Sequence, residues 1–210
     1  MHLPSDLELT ENGLAATGRG RLLVLACGAL AREILALIRA NGWDHVDLHC
    51  LPAILHNHPD RIPAAVRDAV TKRRGDYDQV FVAYADCGTG GDLEKVCADL
   101  GVQMIRGPHC YAFFEGVDDF LARQEVFSFY LTDFLTRQFD TLIWKGLKMD
   151  RHPELRDMYF GHYQSLVYLA QTEDEALTEK ARAAAEKLGL AFERRFTGYG
   201  ELATALEAAV

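Results

Sequence analysis

Three cysteines and one histidine follow predicted β-strands, each at the point where a strand ends. They are Cys27 after the first apolar run, Cys87 after the third, and His109 and Cys110 after the fourth. The carboxyl ends of parallel strands meet at one edge of a sheet, which is where open α/β sheets bind ligands. We therefore expect the three sulfurs to share one pocket, with the imidazole of His109 beside them.

Thiolate and imidazole ligands are typical of zinc or iron–sulfur sites and not of magnesium or calcium sites. Three cysteines and a histidine would complete a tetrahedral zinc site, and three cysteines alone could hold a four-iron cluster. With zinc bound, the sulfurs should lie roughly 4 Å apart, because each stands about 2.3 Å from the metal. The alternative is that these thiols are small buried core residues. Cys97, inside a predicted helix, fits that alternative best.

His56 and His58 lie two residues apart in a segment bounded by Pro52 and Pro59. That spacing puts them on different faces of a helix, so both can bind one ion only from a loop or an extended segment. His56 is the candidate for a metal ligand or a catalytic proton carrier, and His109 is the second candidate catalytic group. The alternative is a polar loop that ends at a proline.

A glycine-rich loop, DCGTGGD at 86–92, lies between the third predicted strand and the next predicted helix. Backbone N–H groups in such a loop can hold a phosphate, which makes several small residues candidates for cofactor binding. These are Gly28, Gly88, Thr89 and Gly90. The loop lacks the lysine of a P-loop and does not match G-x-G-x-x-G, and Asp86 would repel a phosphate. A phosphate- or nucleotide-ligand enzyme is therefore kept as an alternative function.

Predicted strands alternate with predicted helices along most of the chain. The strand candidates are apolar, β-rich runs at 21–27, 46–50, 77–84, 102–106, 166–170 and 191–196. The helix candidates have apolar residues at helical spacing and cover 29–41, 60–70, 92–100, 174–188 and 201–209. This alternation predicts βαβ units and hence the α/β class with a mostly parallel sheet.

One domain is expected, because 210 residues fit a single large α/β unit. We predict a flexible N-terminal arm over 1–20 and a single Rossmann-like domain over 21–210. Within that domain, 111–163 has a mostly helical and aromatic-rich pattern. That pattern indicates an insertion or cap over one side of the sheet.

Composition and charge exclude several classes of protein. The formal net charge of −9 argues against a nucleic-acid-binding protein. No stretch approaches the ~20 apolar residues that span a bilayer, and the first 20 residues lack the apolar core of a signal peptide. We therefore expect a cytoplasmic protein without a membrane partner. Five cysteines without close pairs do not predict disulfides in that reducing compartment.

Five short motifs form an ordered set along the chain: LACG at 25–28, LPAILHNHP at 51–59, YADCGTGG at 84–91, RGPHC at 106–110 and YLTDF at 130–134. The set resembles that of a family with a domain of unknown function, family 1638. The resemblance covers most of the chain, from about residue 20 onward. The chain departs from the family pattern at Asp86, where the family often has an aliphatic residue. In the same pattern the position of His58 is more variable than that of His56.

The resemblance implies a place in one-carbon or methyl-transfer metabolism, because the family is associated with corrinoid-dependent methyltransferases and their reductive activators. It also implies a small-molecule substrate and a corrinoid protein or a methyltransferase as partner. Combined with the thiols, this predicts a zinc- or iron–sulfur-dependent transferase that meets the corrinoid through a partner protein. The alternative is a non-catalytic accessory protein that binds a corrinoid, a metal or a methyltransferase.

Overall fold

The structure is a computed structural model that describes residues 4–210, and the chain forms two compact units. Unit 1 comprises the described residues up to Phe113 together with Glu201–Val210, and unit 2 comprises Phe114–Gly200. Each unit contains one parallel sheet. The predicted α/β class with parallel strands is confirmed. The strands form two sheets, however, where the sequence analysis predicted one.

The described residues form seven strands and ten α-helices. The strands are β1 (Leu22–Cys27), β2 (Val46–Leu51), β3 (Gln79–Ala83), β4 (Gln103–Met104), β5 (Ser128–Thr132), β6 (Ser165–Ala170) and β7 (Ala191–Phe196). The helices are α1 (Asp6–Glu11), α2 (Ala31–Asn41), α3 (Ile62–Arg73), α4 (Asp92–Leu100), α5 (Ala112–Glu115), α6 (Val117–Arg123), α7 (Asp133–Arg137), α8 (Leu155–Phe160), α9 (Glu175–Leu188) and α10 (Gly200–Ala209). Short 3₁₀ segments occupy Gly28–Leu30, Ala53–Asn57, Pro59–Arg61 and Arg74–Asp76, and Phe139–Trp144 is π-helical. None of the helices in 4–210 is both long and apolar enough to cross a membrane.

The sheet of unit 1 has the strand order β2-β1-β3-β4, and all its pairings are parallel. Every residue of the central strand β1 is buried, as expected for a strand that is covered on both faces. Ala26, near the end of β1, lies opposite Cys50 of β2 and Ala83 of β3. The four strands therefore end on one edge, as the sequence predicted.

Two helices of unit 1 end at a glycine in the left-handed conformation. Gly42 (φ 63°) ends α2, and Gly101 (φ 65°) ends α4. The N–H groups of both glycines donate to carbonyls of the last helical turn, and the missing Cβ removes the steric cost of positive φ. Each stop turns the chain back into the next strand, which is β2 after α2 and β4 after α4.

Part of the predicted N-terminal arm forms helix α1. Ser5 and Glu8 make a capping box, in which the Ser5 hydroxyl accepts from the Glu8 N–H and the Glu8 carboxylate accepts from the Ser5 N–H. Leu9 is fully buried, and Leu14 forms an antiparallel bridge with Cys50. The sequence analysis missed this helix because six residues are too few to show a clear helical period. Residues 1–3 of the predicted arm lie outside the described residues.

The sheet of unit 2 has the order β5-β6-β7, again with parallel pairings. Strand β5 lies within 111–163, where the sequence analysis predicted mostly helix. Its residue Phe129 packs against two aromatic rings: its ring centroid is 5.0 Å from that of Phe160 and 5.8 Å from that of Tyr163. The aromatic-rich pattern therefore comes partly from strand β5 and from helix α8, whose Phe160 packs against Phe129.

Candidate functional site

The carboxyl edge of the unit 1 sheet lies at a topological switch point. From β1 the chain moves to β2 on one side, and it then returns to form β3 on the other side of β1. Open α/β sheets bind ligands in the crevice that forms where neighbouring strands lead away in opposite directions. Cys27 is the last residue of β1, and Cys87 lies in the loop after β3. Two of the candidate thiols therefore flank this crevice.

Cys87 and Cys110 are in direct contact at this edge. Their sulfurs are 3.1 Å apart, and both side chains are buried. Two backbone hydrogen bonds join their loops: Asp86 N–H donates to the Gly107 carbonyl, and Cys87 N–H donates to the Pro108 carbonyl, each at 2.9 Å. These bonds continue the pairing of β3 and β4 beyond the strands. They hold the two thiols side by side.

The contact between the two thiols separates their pKa values. A hydrogen bond from the Cys110 thiol lowers the pKa of Cys87, against the opposing effect of burial. The same hydrogen bond, followed by burial, raises the pKa of Cys110 well above its ordinary value. Cys87 is therefore the member of the pair that ionises first. It also has a positive φ of 49°, a conformation that costs a non-glycine residue about 1–2 kcal/mol.

Cys27 and Tyr84 lie beside this pair. Burial raises the pKa of the Cys27 thiol to about 12, and the charge of Cys87 adds to the shift. Burial also raises the pKa of Tyr84, followed by the charges of Cys27 and Cys110. The Tyr84 hydroxyl faces the Cys27 thiol without completing a well-formed hydrogen bond, and it is buried with no other partner in the described residues. The structure thus brings the three candidate thiols together around an unmatched hydroxyl group.

His56 and His109 interact with each other, and His109 directly precedes Cys110 in the chain. Burial, with a smaller contribution from His109, lowers the pKa of His56 to about 4. Burial also lowers the pKa of His109, although the carboxylate of Asp86 opposes the shift. The ring of His109 stacks on Tyr111, with 4.8 Å between the ring centroids. Both imidazoles are therefore neutral at pH 7, the form that can bind a metal or accept a proton.

The glycine-rich loop over 86–92 already holds an anion, the carboxylate of Asp86. This carboxylate accepts hydrogen bonds from the N–H groups of Gly88 (3.2 Å), Gly90 (3.2 Å) and Gly91 (2.7 Å) and from the hydroxyl of Thr89 (2.8 Å). Burial alone would raise the pKa of Asp86, but these hydrogen bonds lower it. The N–H groups that would bind a phosphate in this loop therefore already donate to the Asp86 carboxylate. These contacts give Gly88, Thr89 and Gly90 a structural role.

Gly28 is explained by packing. A Cβ at this position would lie 2.4 Å from the carbonyl oxygen of Leu9 in α1 and 3.2 Å from that of Leu51 at the end of β2. Backbone atoms cannot give way as the end of a flexible side chain can, so any larger residue would displace α1. The close approach of α1 accounts for the glycine, and a cofactor is not needed to explain it.

Metal binding would require a different arrangement of these side chains. Within residues 4–210 no group of three or more His, Cys, Asp or Glu side chains is arranged to hold a metal ion. Cys87 and Cys110 supply a pair of sulfurs, and neither Cys27 nor an imidazole completes a coordination shell around them in the described residues. These side chains would have to turn inward around an ion.

Cys50 is the nearby thiol that sequence reasoning left out of the ligand set. It is buried in β2, and burial, followed by the charges of Cys27 and Glu33, raises its pKa well above the ordinary value. It stands at the end of a strand like the other candidates, so the same signal would have included it. Cys97 lies in α4, as predicted, where burial and Glu94 raise its pKa to about 11.

The fold and the site define an α/β protein whose parallel sheet gathers thiols and imidazoles at its carboxyl edge. The chain belongs to the family described as "Protein of unknown function (DUF1638)", whose model matches residues 50–206. The family resemblance seen in the sequence motifs is therefore confirmed. The matched range contains Cys87, Cys110 and both candidate catalytic histidines, and it begins after Cys27.

Other comparisons add little. No curated protein sequence matches the chain. Among solved structures, an ornithine carbamoyltransferase from Pyrococcus furiosus is similar with a TM-score of 0.26 and 12% identity, over 85% of this chain. The aligned part spans 55% of that transferase. A likeness at this level supports no argument about the fold or the activity of the present chain.

Proposed function

We propose that unit 1 binds a metal through thiolates at the carboxyl edge of its sheet, as zinc or as an iron–sulfur cluster. The observation that supports this most is the 3.1 Å contact between the sulfurs of Cys87 and Cys110. Two sulfurs on one tetrahedral zinc stand ~3.8 Å apart, as follows from a Zn–S distance of about 2.3 Å. A small rotation of either side chain about its Cα–Cβ bond bridges that difference.

The remaining ligands would come from groups already beside the pair. Cys27 can supply a third sulfur, and His109 or His56 can supply a neutral imidazole nitrogen. A positive metal ion lowers the pKa of a bound thiol by favouring the thiolate, which would offset the cost of ionising Cys27 and Cys110 in a buried place. A ligand set of this kind selects zinc or iron over magnesium and calcium.

We further propose that the protein is a metal-dependent transferase in corrinoid-linked methyl transfer. This part of the proposal rests on the association with corrinoid-dependent methyltransferases that the resemblance of the sequence motifs implies. Thiolate-bound zinc can hold a substrate thiol as a nucleophilic thiolate at neutral pH, which is what a methyl acceptor requires. An iron–sulfur cluster at the same place would instead supply an electron to a corrinoid partner. His56 would be the proton carrier only if a thiolate beside it raised its pKa from about 4, because a neighbouring negative charge favours the imidazolium form.

Metal content of protein purified without oxygen tests the metal site. We expect about one zinc per chain in a colourless sample, or iron and sulfide in a coloured one. Cys87→Ser and Cys110→Ser should each remove the metal, because a serine hydroxyl stays protonated at pH 7 and ligates zinc and iron poorly. Cys97→Ser, which changes a buried thiol in α4, is the matched control and should keep the metal. Equal metal in Cys87→Ser and Cys97→Ser would contradict the proposal.

Turnover tests the transferase. Metal-loaded protein is mixed with a methylated corrinoid and a thiol, and loss of the methyl–cobalt absorption is followed with time. A rate that falls at least tenfold in His56→Gln would support catalysis, while the metal content of that variant shows whether the site is intact. Metal binding without turnover would favour the accessory protein over the enzyme.

We also propose a cytoplasmic location, because the structure leaves all five cysteines as free thiols, the state that a reducing compartment maintains. Cell fractionation with thiol labelling tests this: the protein should be found in the cytoplasmic fraction with reduced cysteines. Recovery from an oxidising compartment would contradict it.

A further inference from the structure

The Cys87–Cys110 contact has a second chemical capacity that needs no metal. The two sulfurs lie 3.1 Å apart, and a disulfide requires about 2.05 Å. Their loops are joined by two backbone hydrogen bonds of 2.9 Å, from Asp86 to Gly107 and from Cys87 to Pro108. The backbone therefore already holds the pair almost in bonding range. Closing the remaining distance requires only a movement of about 1 Å between the sulfurs.

Access to the pair limits the kind of oxidant that can react. Cys87 is 6% exposed and Cys110 is 4% exposed. An external oxidant that is itself a bulky disulfide compound therefore cannot bring its S–S bond into line with either sulfur. Gly88 and Gly90, which follow Cys87 in its loop, are exposed and leave that side of the loop without side chains. An oxidant about as small as a water molecule fits these limits. Hydrogen peroxide, the smallest hydroperoxide, is of that size.

We propose that Cys87 and Cys110 form a peroxide-reactive dithiol, with Cys87 as the attacking thiol and Cys110 as the resolving thiol. The Cys87 thiolate attacks one oxygen of hydrogen peroxide and breaks the O–O bond, which gives a sulfenic acid and hydroxide. The Cys110 thiol then attacks the sulfur of that sulfenic acid and releases water. The sum is one peroxide and two thiols converted into one disulfide and two waters. The peroxide is reduced and the two sulfurs are oxidised.

This inference goes beyond the metal site, since it depends on two sulfurs and not on a complete ligand set. The two proposals are linked through those sulfurs, because a disulfide sulfur has no thiolate to offer a metal. Oxidation would release the metal, and bound metal would protect the pair from peroxide. Cys27 and Cys50 are the nearby thiols that could compete, so the identity of the partner is part of the test.

The experiment uses the full chain, reduced and kept without oxygen, in two samples: as isolated and after treatment with a chelator. Both are exposed to hydrogen peroxide, the remaining thiols are alkylated, and peptides are mapped by mass spectrometry. We expect the chelator-treated protein to lose two of its five thiols and to form one disulfide, Cys87–Cys110. A pairing that includes Cys27 or Cys50, or no disulfide in either sample, overturns the inference.

Variants assign the roles of the two thiols. In Cys110→Ser the sulfenic acid has no resolving partner, so a 1,3-dicarbonyl probe should label Cys87. In Cys87→Ser the remaining Cys110 should stay a thiol, and the control Cys97→Ser should form the disulfide as the parent protein does. Circular dichroism checks that each variant is folded, and the map of the parent protein decides the outcome even where a variant does not fold. Labelling of Cys97 as fast as Cys87 overturns the assignment.

The two proposals can fail separately. Protein that contains no metal when isolated, yet forms the Cys87–Cys110 disulfide, supports the dithiol and contradicts the metal site. Protein that loses its metal in Cys87→Ser, yet forms no disulfide after chelation, contradicts the dithiol alone.

Discussion

The carboxyl edges of the two parallel sheets differ in how a buried tyrosine hydroxyl is satisfied. In unit 2 the carboxylate of Asp133, at the start of α7, accepts hydrogen bonds from the Tyr168 hydroxyl (2.7 Å), the Gln171 N–H (3.0 Å) and the Thr172 hydroxyl. In unit 1 the Tyr84 hydroxyl is buried and faces the Cys27 thiol without a well-formed hydrogen bond in the described residues. Buried polar groups are nearly always matched in folded proteins, and exceptions tend to mark functional sites.

The comparison predicts that the Asp133 network stabilises unit 2 more than the Tyr84 hydroxyl stabilises unit 1. The unit 2 edge uses its polar side chains to fix β6 and α7 in place. The unit 1 edge gathers thiols around a hydroxyl that makes no well-formed hydrogen bond in the described residues, and we expect that hydroxyl to add little to stability. The predictions that follow test this contrast by measuring how much each polar group stabilises its own unit.

The largest effect is expected from Asp133→Ala in unit 2. The change leaves the buried Tyr168 hydroxyl and the buried Gln171 N–H without their acceptor, at about 1–3 kcal/mol each. We expect the free energy of unfolding of unit 2 to fall by ~3 kcal/mol or more. Urea denaturation in a Trp43→Phe background measures it, because Trp144, which lies in unit 2, is then the remaining tryptophan.

Asp119→Ala is the matched control for this prediction. Asp119 is an exposed carboxylate on α6 in the same unit, and surface changes of this kind usually stay within ~0.5 kcal/mol. If the two alanine variants unfold at the same urea concentration, the Asp133 network does not stabilise unit 2, and the contrast between the two edges fails.

A smaller effect, with a defined pH dependence, is expected at Asp47 in unit 1. Its carboxylate accepts hydrogen bonds from Thr17, from Gly18 (2.6 Å) and from the Tyr77 hydroxyl (2.8 Å). Burial alone would raise the pKa of Asp47, but these hydrogen bonds lower it. A carboxyl with a lowered pKa stabilises the folded state above its unfolded value of about 3.9, and that stability is lost as the pH falls through the folded value.

Asp47→Asn should therefore cost unit 1 about 2 kcal/mol at pH 7, since it removes hydrogen bonds to a charged acceptor. The difference from the parent protein should shrink as the pH falls below ~4. Urea denaturation in a Trp144→Phe background, with Trp43 as reporter of unit 1, measures it. The nearby exposed carboxylate of Asp44 supplies the control, Asp44→Asn. A cost that is constant from neutral to acid pH would show that the charge of Asp47 is not what stabilises the unit.

The sequence allowed us to predict those features that depend on the local pattern of residues. The apolar run at 21–27 and the helix with its glycine stop at 29–42 are local features, and the rule for parallel strands then placed Cys27 and Cys87 at one edge. It did not find the division into two sheets, because pairing between distant strands leaves no trace in periodicity. The Cys87–Cys110 contact and the return of the Asp86 carboxylate onto its own loop depend on backbone bonds between loops. The spacing of residues along the sequence does not predict backbone hydrogen bonds between loops.

The smallest effects come from a matched pair of buried tyrosines, Tyr168 in unit 2 and Tyr84 in unit 1. Both side chains are almost fully buried. The Tyr168 hydroxyl donates to Asp133 at 2.7 Å, whereas the Tyr84 hydroxyl makes no well-formed hydrogen bond in the described residues. Tyr168→Phe should destabilise unit 2 by about 1.5 kcal/mol, the low end for a hydrogen bond to a charged group.

Tyr84→Phe should leave the stability of metal-free unit 1 unchanged or raise it by up to ~1 kcal/mol, because it removes a buried group that lacks a well-formed hydrogen bond. The same urea measurements with one tryptophan in each unit decide the sign. If Tyr84→Phe costs as much as Tyr168→Phe, the Tyr84 hydroxyl is hydrogen-bonded in solution, and the contrast between these two tyrosines fails.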